Sequence, residues 1–272
     1  MPSLSEALSP FSAVLLTGGS SGIGKSFIEL CGKLRPELRF CNLSRREPQP
    51  EVAGLILRHF PCDLANAGDV ARAAAAVAED LGRELPEGRI LLINNSGFGS
   101  YGHFPEPNLS HQLEMLDVNI RGLVQLTGFV LPLLRARGGA IVNVASTAAF
   151  QPTPYMATYG ATKTFVLHWT LALNEELRST GVRALAVCPG PTATQFFRRA
   201  GLKQGSVSDA FSMSPEEVVR QTLRALAAGR SLVVPGWKNK LLSSLAGAAP
   251  KPLAARLARV ILARYRLSQA QR

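Results

Sequence analysis

The sequence predicts an α/β fold: a doubly wound parallel sheet of about seven strands in a single domain, followed by a basic helical tail. Three observations predict it. Short, nearly unbroken apolar runs recur along the chain, helical patterns alternate with them, and the first run ends in a glycine-rich turn. Strands buried on both faces of a parallel sheet read as such runs, and their alternation with helices implies right-handed crossovers.

Ala13–Thr17 predicts the first strand, and Gly24–Leu34 the helix behind it. Leu38–Leu43 and Ile56–Phe60 are the next two strands, and the alanine-rich stretch within Asp69–Leu81 is a helix. Ile90–Asn94, Ala140–Ala145, Arg183–Cys188 and Leu232–Val234 complete the sheet. Helical patterns at Ser110–Arg135, Thr158–Ser179 and Pro215–Ala228 separate them. No Pro/Gly/Ser-rich linker divides the chain, so residues 1–236 form one catalytic domain and 237–272 an extension.

Composition excludes several classes. Of 272 residues 46% are hydrophobic, ample for a core, yet no stretch of about 18 apolar residues exists to span a bilayer. The opening MPSLSEALSP lacks the basic and apolar regions of a secretory signal. Cys31, Cys41, Cys62 and Cys188 have no metal-ligand spacing and read as buried reduced thiols. A cytoplasmic protein with no metal site is expected. His103, His111 and His168 have no carboxylate or cysteine partner at metal spacing, His59 precedes a strand end, and none receives a role.

The chemistry begins with Tyr159 and Lys163, which at i and i+4 share one helix face. An ammonium beside a phenol stabilises the phenolate and is expected to draw its pKa toward neutrality. Ser146 supplies a hydroxyl to hold a substrate carbonyl oxygen against that tyrosine. Upstream, VLLTGGSSGIG at Val14–Gly24 is a strand, a turn and a helix start, a cradle for phosphate. Gly18, Gly22 and Gly24 are spaced G-x-x-x-G-x-G, with Ser20, Ser21 and Ile23 between them. Cofactor choice is read at the second strand's end. Twenty residues beyond Gly24 stands Ser44, then Arg45 and Arg46, where an NAD enzyme usually carries an acid. A hydroxyl and guanidinium groups suit a 2′-phosphate, so NADP(H) is expected.

Further motifs follow in order: NNSG at Asn94–Gly97, VNI at Val118–Ile120, NVAS at Asn143–Ser146 and PGPTAT at Pro189–Thr194. With Tyr159 and Lys163 they make the chain resemble the short-chain dehydrogenase/reductase family, in its ordinary-length Y-x-x-x-K branch. The resemblance spans roughly the first 235 residues, and the look is closest to bacterial acyl- and hydroxysteroid-type reductases. It implies a Rossmann-type fold and a catalytic set of Asn119, Ser146, Tyr159 and Lys163, with Asn119 holding a water that relays protons through Lys163. It further implies that Asp63 and Leu64 meet the adenine. Asn95, Tyr159, Lys163, Pro189, Gly190, Thr192 and Thr194 complete the NADP(H) contacts, and a homo-oligomer, dimer or tetramer, is implied. One departure is Ser96 where the family usually has alanine.

Phe98–Phe104, Thr147–Thr158 and Thr194–Met213 are expected to line the substrate pocket. They bring Phe98, Tyr101, Phe104, Phe150, Tyr155, Met156, Phe196, Phe197, Phe211 and Met213, a rim for a lipophilic carbonyl or alcohol substrate. Arg198, Arg199 and Lys203 read as a solvated helix face, or as a contact for an anionic substrate tail. From Trp237 to Arg272 there are eight basic residues and no acid. Leu253, Leu257, Val260, Ile261 and Tyr265 share one helical face, opposite Arg256, Arg259 and Arg266, with Arg264 intruding. Such a helix is a lid, a subunit contact or a peripheral membrane element. Without a recognition motif the charge does not point to nucleic acid. The function read from all this is an NADP(H)-dependent ketoreductase. The alternatives are an epimerase or dehydratase of the family's extended branch, and a nucleotide-sensing protein without turnover.

Overall fold

The structure, a computed structural model, describes residues 3–85, 87–194, 196, 200 and 212–263. Seven strands form one parallel sheet in the order β3-β2-β1-β4-β5-β6-β7. They are β1 (Phe11–Thr17), β2 (Arg39–Ser44), β3 (Ile56–Pro61), β4 (Arg89–Asn94), β5 (Gly139–Val144), β6 (Val182–Val187) and β7 (Leu232–Val233). The period of two sorts their side chains. Ala13 and Leu15 of β1 and Ile90 and Leu92 of β4 enter one core. Val14, Leu16, Leu91 and Ile93 enter the other, on the opposite face.

The short α1 (Leu4–Leu8), absent from the sequence expectation, is held by a capping box between Ser3 and Glu6. Then come α2 (Gly22–Leu34), α3 (Ala67–Glu84), α4 (Leu109–Leu116), α5 (Leu123–Arg137), α6 (Ala157–Glu176) and α7 (Pro215–Ala227). The extension forms α8 (Trp237–Ala248) and α9 (Lys251–Ala263). Asn66 starts α3 by accepting from the Gly68 and Asp69 amides, and the helix buries Val70, Ala73, Val77 and Leu81. The helix expected over 110–135 is interrupted by a π-turn at Asp117–Gly122, which carries Asn119. Single π-turns of this kind recur at functional sites.

Sheet order reverses beside β1, where one crossover leads to β2 and the next to β4. That switch point opens a crevice at the carboxyl ends of the strands. Among the described residues no helix is long and apolar enough to cross a membrane.

Candidate active site

At the end of β1 the chain turns through Gly18 and Gly22, with φ of 73° and 58°. Only glycine adopts these angles without strain. A Cβ at Gly24 would lie 2.3 Å from the Gly18 carbonyl oxygen, so Gly24 allows the close approach of α2 to the turn. Ser21 occupies the N-cap of α2 yet makes no side-chain cap bond. The first N–H groups of the helix therefore lack their usual side-chain acceptor, and an anion is the fitting partner. The pyrophosphate of a nicotinamide dinucleotide suits this donor set.

One cleft of about 1490 Å³ gathers the expected residues. Gly18, Ser20, Ser21, Gly22, Ile23, Ser44, Arg45, Arg46, Asp63, Leu64 and Asn95 line its first part. Ser146, Tyr159, Lys163, Pro189, Gly190, Thr192 and Thr194 line the rest, while Gly24 and Asn119 stand behind the wall. Asn95 is aimed by its amide nitrogen, which donates to the carbonyls of Thr17 at 3.0 Å and Gly18 at 3.3 Å. The Ser44 hydroxyl is engaged inward, donating to the Arg46 carbonyl at 2.6 Å and accepting from Asn42 at 2.9 Å. Arg45 is the exposed charge of this end: its side chain is 63% exposed, 3.5 Å from Glu114 and 4.0 Å from Asp63.

Asn119 is a staple. Its Nδ2 donates to the Phe98 carbonyl at 2.9 Å and to Thr162 Oγ1 at 3.0 Å, while Oδ1 accepts from the Phe98 amide. With both Nδ2 hydrogens and one lone pair of Oδ1 engaged by protein, its side chain joins the loop after β4 to α6. Gly97 permits this packing: a Cβ there would meet Asn119 Oδ1 at 3.0 Å and Lys163 Nζ at 3.2 Å.

Tyr159 and Lys163 project from α6 into the cleft, and both are buried. The Ser146 hydroxyl faces Tyr159 closely enough to favour its ionised form, and Lys163 Nζ donates to the Val144 carbonyl at 2.8 Å. The expectation that Lys163 draws the phenol toward neutrality is corrected here. Burial pushes Tyr159 up to about 12, against the opposing Ser146 hydroxyl, and pushes Lys163 down to about 8. Lys163 Nζ lies 5.9 Å from the centre of the Tyr159 ring, and loss of hydration outweighs its field.

The substrate rim is partly redrawn. Phe98, Tyr101, Met156 and Phe196 line the cleft, and the Phe196 ring is 5.2 Å from that of Tyr159. Phe104 and Tyr155 instead border a separate cavity of about 290 Å³. Phe150 packs beneath α6 and Met213 against the α2–α7 core. Phe197, Phe211, Arg198, Arg199 and Lys203 lie outside the described residues, as do Arg264, Tyr265, Arg266 and Arg272 of the tail.

Sequence reasoning missed two things. Glu114 lines the cleft beside Arg45, invisible as a partner 69 residues away. The tail also forms a cleft wall through Asn239, Leu242, Leu245, Leu257 and Ile261. A Cβ on Gly190 would sit 2.4 Å from Asn239, so α8 packs directly on the PGPTAT segment. Tyr101 fastens the other end, its phenol donating to the Leu262 carbonyl at 2.5 Å. All four cysteines are buried and free, and no His/Cys/Asp/Glu group among the described residues could hold a metal.

The architecture and site define a dinucleotide-binding oxidoreductase domain, and comparison with known proteins specifies the family. Residues 12–205 match the family model described as short chain dehydrogenase. A Streptomyces coelicolor protein provisionally named a ketoacyl reductase is 30% identical over 241 residues, 86% of this chain and 89% of that one. A short-chain dehydrogenase from Sphingobium yanoikuyae, solved in complex with NADPH, superposes with a TM-score of 0.72 at 28% identity. The match covers 96% of this chain and 98% of that one. A family member from Burkholderia phymatum, solved in complex with NAD, has a TM-score of 0.72 at 21% identity, covering 86% and 92% of the two chains. The chain belongs to the short-chain dehydrogenase/reductase family of oxidoreductases.

Proposed function

We propose that this protein is an NADPH-dependent ketoreductase acting on an apolar or bulky carbonyl compound. The observation that carries the reading is convergence: hydroxyl, phenol and ammonium of Ser146, Tyr159 and Lys163 meet on the wall of an apolar cleft beside the glycine cradle. A bound nicotinamide supplies the hydride. Ser146 and Tyr159 hold the substrate oxygen by hydrogen bonds, and Tyr159 gives it the phenolic proton as negative charge develops there. Lys163 stabilises the phenolate left behind. A phenol pushed up to about 12 is protonated at neutral pH, so Tyr159 holds the proton that reduction consumes. The leucines of the tail and Phe98, Phe196 and Met156 give the substrate end an apolar lining, in keeping with a relative named for ketoacyl reduction.

Tyr159→Phe is expected to lower carbonyl reduction at least ~100-fold while NADPH still binds, because only the transferable proton is gone. Stopped-flow turnover and cofactor fluorescence measure both, and wild-type turnover in the variant refutes the assignment. A protein that sensed nucleotide without turnover would bind NADPH and reduce no member of a carbonyl panel.

The preference for NADPH rests on Arg45. The inward hydrogen bonds of Ser44 leave the guanidinium as the group best able to reach a 2′-phosphate, exchanging its pairing with Glu114 for that of the ligand. Arg45→Ala is expected to weaken NADPH about tenfold and leave NADH unchanged, a difference that competition titration reads. We further propose a homo-oligomer. Phe129 of α5 and Phe165 of α6 are 50% and 38% exposed, apolar area that a second copy would cover. Light scattering gives the subunit count.

A further inference from the structure

We propose that the outer face of α8 and α9 docks on an anionic lipid bilayer. Trp237, Leu241, Leu253 and Val260 are between 50% and 74% exposed and line neither cavity. Leu245 and Ile261 are as exposed and also line the cleft, so both helices carry exposed apolar side chains at the substrate mouth as well as away from it. So many large apolar side chains exposed on two consecutive helices call for a cover.

Charge decides what the cover is. After Glu217 the chain has no Asp or Glu, whereas eleven Lys and Arg residues follow. Lys240 and Arg256 are exposed on these helices, and the Lys238 ammonium lies 5.8 Å from the Trp237 ring centre. A two-fold contact between copies would press this face against itself, cation on cation. An anionic headgroup layer instead offers the opposite charge, with an apolar boundary for the leucines and an interface for the indole. The surface argument stands apart from the identity of the carbonyl substrate, and its test reads no turnover.

The test is sedimentation of the full chain with phosphatidylcholine vesicles, with and without phosphatidylglycerol, while tryptophan emission is followed. Trp237 is the exposed reporter, since the other tryptophan, Trp169, is half-buried. Co-sedimentation with the anionic vesicles alone, reversed by salt and accompanied by a blue shift, is expected. The double variant Leu241→Glu, Leu253→Glu should keep NADPH affinity, proving it folded, and lose the vesicles. Lys240→Gln with Arg256→Gln should weaken vesicle binding at least about tenfold, each cation near such a surface contributing to the attraction. Absence of binding to anionic vesicles, or equal binding by wild type and either double variant, overturns the proposal. A changed subunit count in the leucine variant assigns the face to a second copy and overturns it equally.

Discussion

Among the described residues two charged side chains are taken out of water, and the molecule treats them in opposite ways. Asp80, on α3, is almost wholly buried under the β2–β3 edge of the sheet, where Arg39 grips both its oxygens at 2.9 and 3.0 Å. Arg58 closes on the same carboxylate from β3, while its guanidinium also stacks 5.4 Å over Phe60. Lys163 is as deeply buried, and its hydrogen bond goes to a neutral backbone carbonyl. Burial, with no carboxylate to oppose it, pushes its pKa down. A structural charge is thus paired within the protein. The charge at the reaction site is left for cofactor and substrate to complete, and the fold bears the cost of desolvating it.

The largest expected effect tests the paired side. Asp80→Ala strands two guanidinium groups, Arg39 in a site only 17% exposed, and should destabilise the fold by about 3–5 kcal/mol. Urea unfolding measures it; a loss under about 1 kcal/mol would show that the cluster is merely a solvated surface network. The second tests the unpaired side with the opposite sign. Lys163→Met removes a poorly solvated ammonium and should stabilise the protein at pH 7 by about 3 kcal/mol while abolishing turnover. In the unfolded chain this amine keeps its proton to its ordinary value of 10.5, whereas in the folded state it releases it near 8. Between those values the unfolded state binds more protons, so wild-type stability rises with pH relative to the variant. The gap is therefore full below pH 8 and closes toward 10.5, which unfolding curves across that range can follow. Smallest is Arg58→Ala. Its side chain is 49% exposed, and Arg39 still holds Asp80, so solvent screening should keep the loss below about 1 kcal/mol in the same assay.

The contrast also marks what was legible in the sequence. The strands were readable because burial on both faces leaves no polar alternation, and each expected strand overlaps an observed one within a few residues. The glycine turn was readable because its backbone angles and close approaches admit no other residue. Helix α1 escaped because five residues give no period, though Ser3 and Glu6 carried a capping signal. The π-turn at Asp117–Gly122 left no mark, since a slip in helical register is fixed by what Asn119 must reach on either side.

The sequence by itself determined the sheet, its crossovers, the family and the residues that converge on one cleft. Those properties follow from local periodicity and from residue types at fixed spacing. Only the tertiary structure decided the electrostatics, because the protonation of Tyr159 and Lys163 depends on how completely the surrounding elements exclude water. It likewise decided that Glu114 meets Arg45, and that Asn239 and the leucines of the tail wall the cleft. Such contacts join segments far apart in the chain, where no spacing rule reaches.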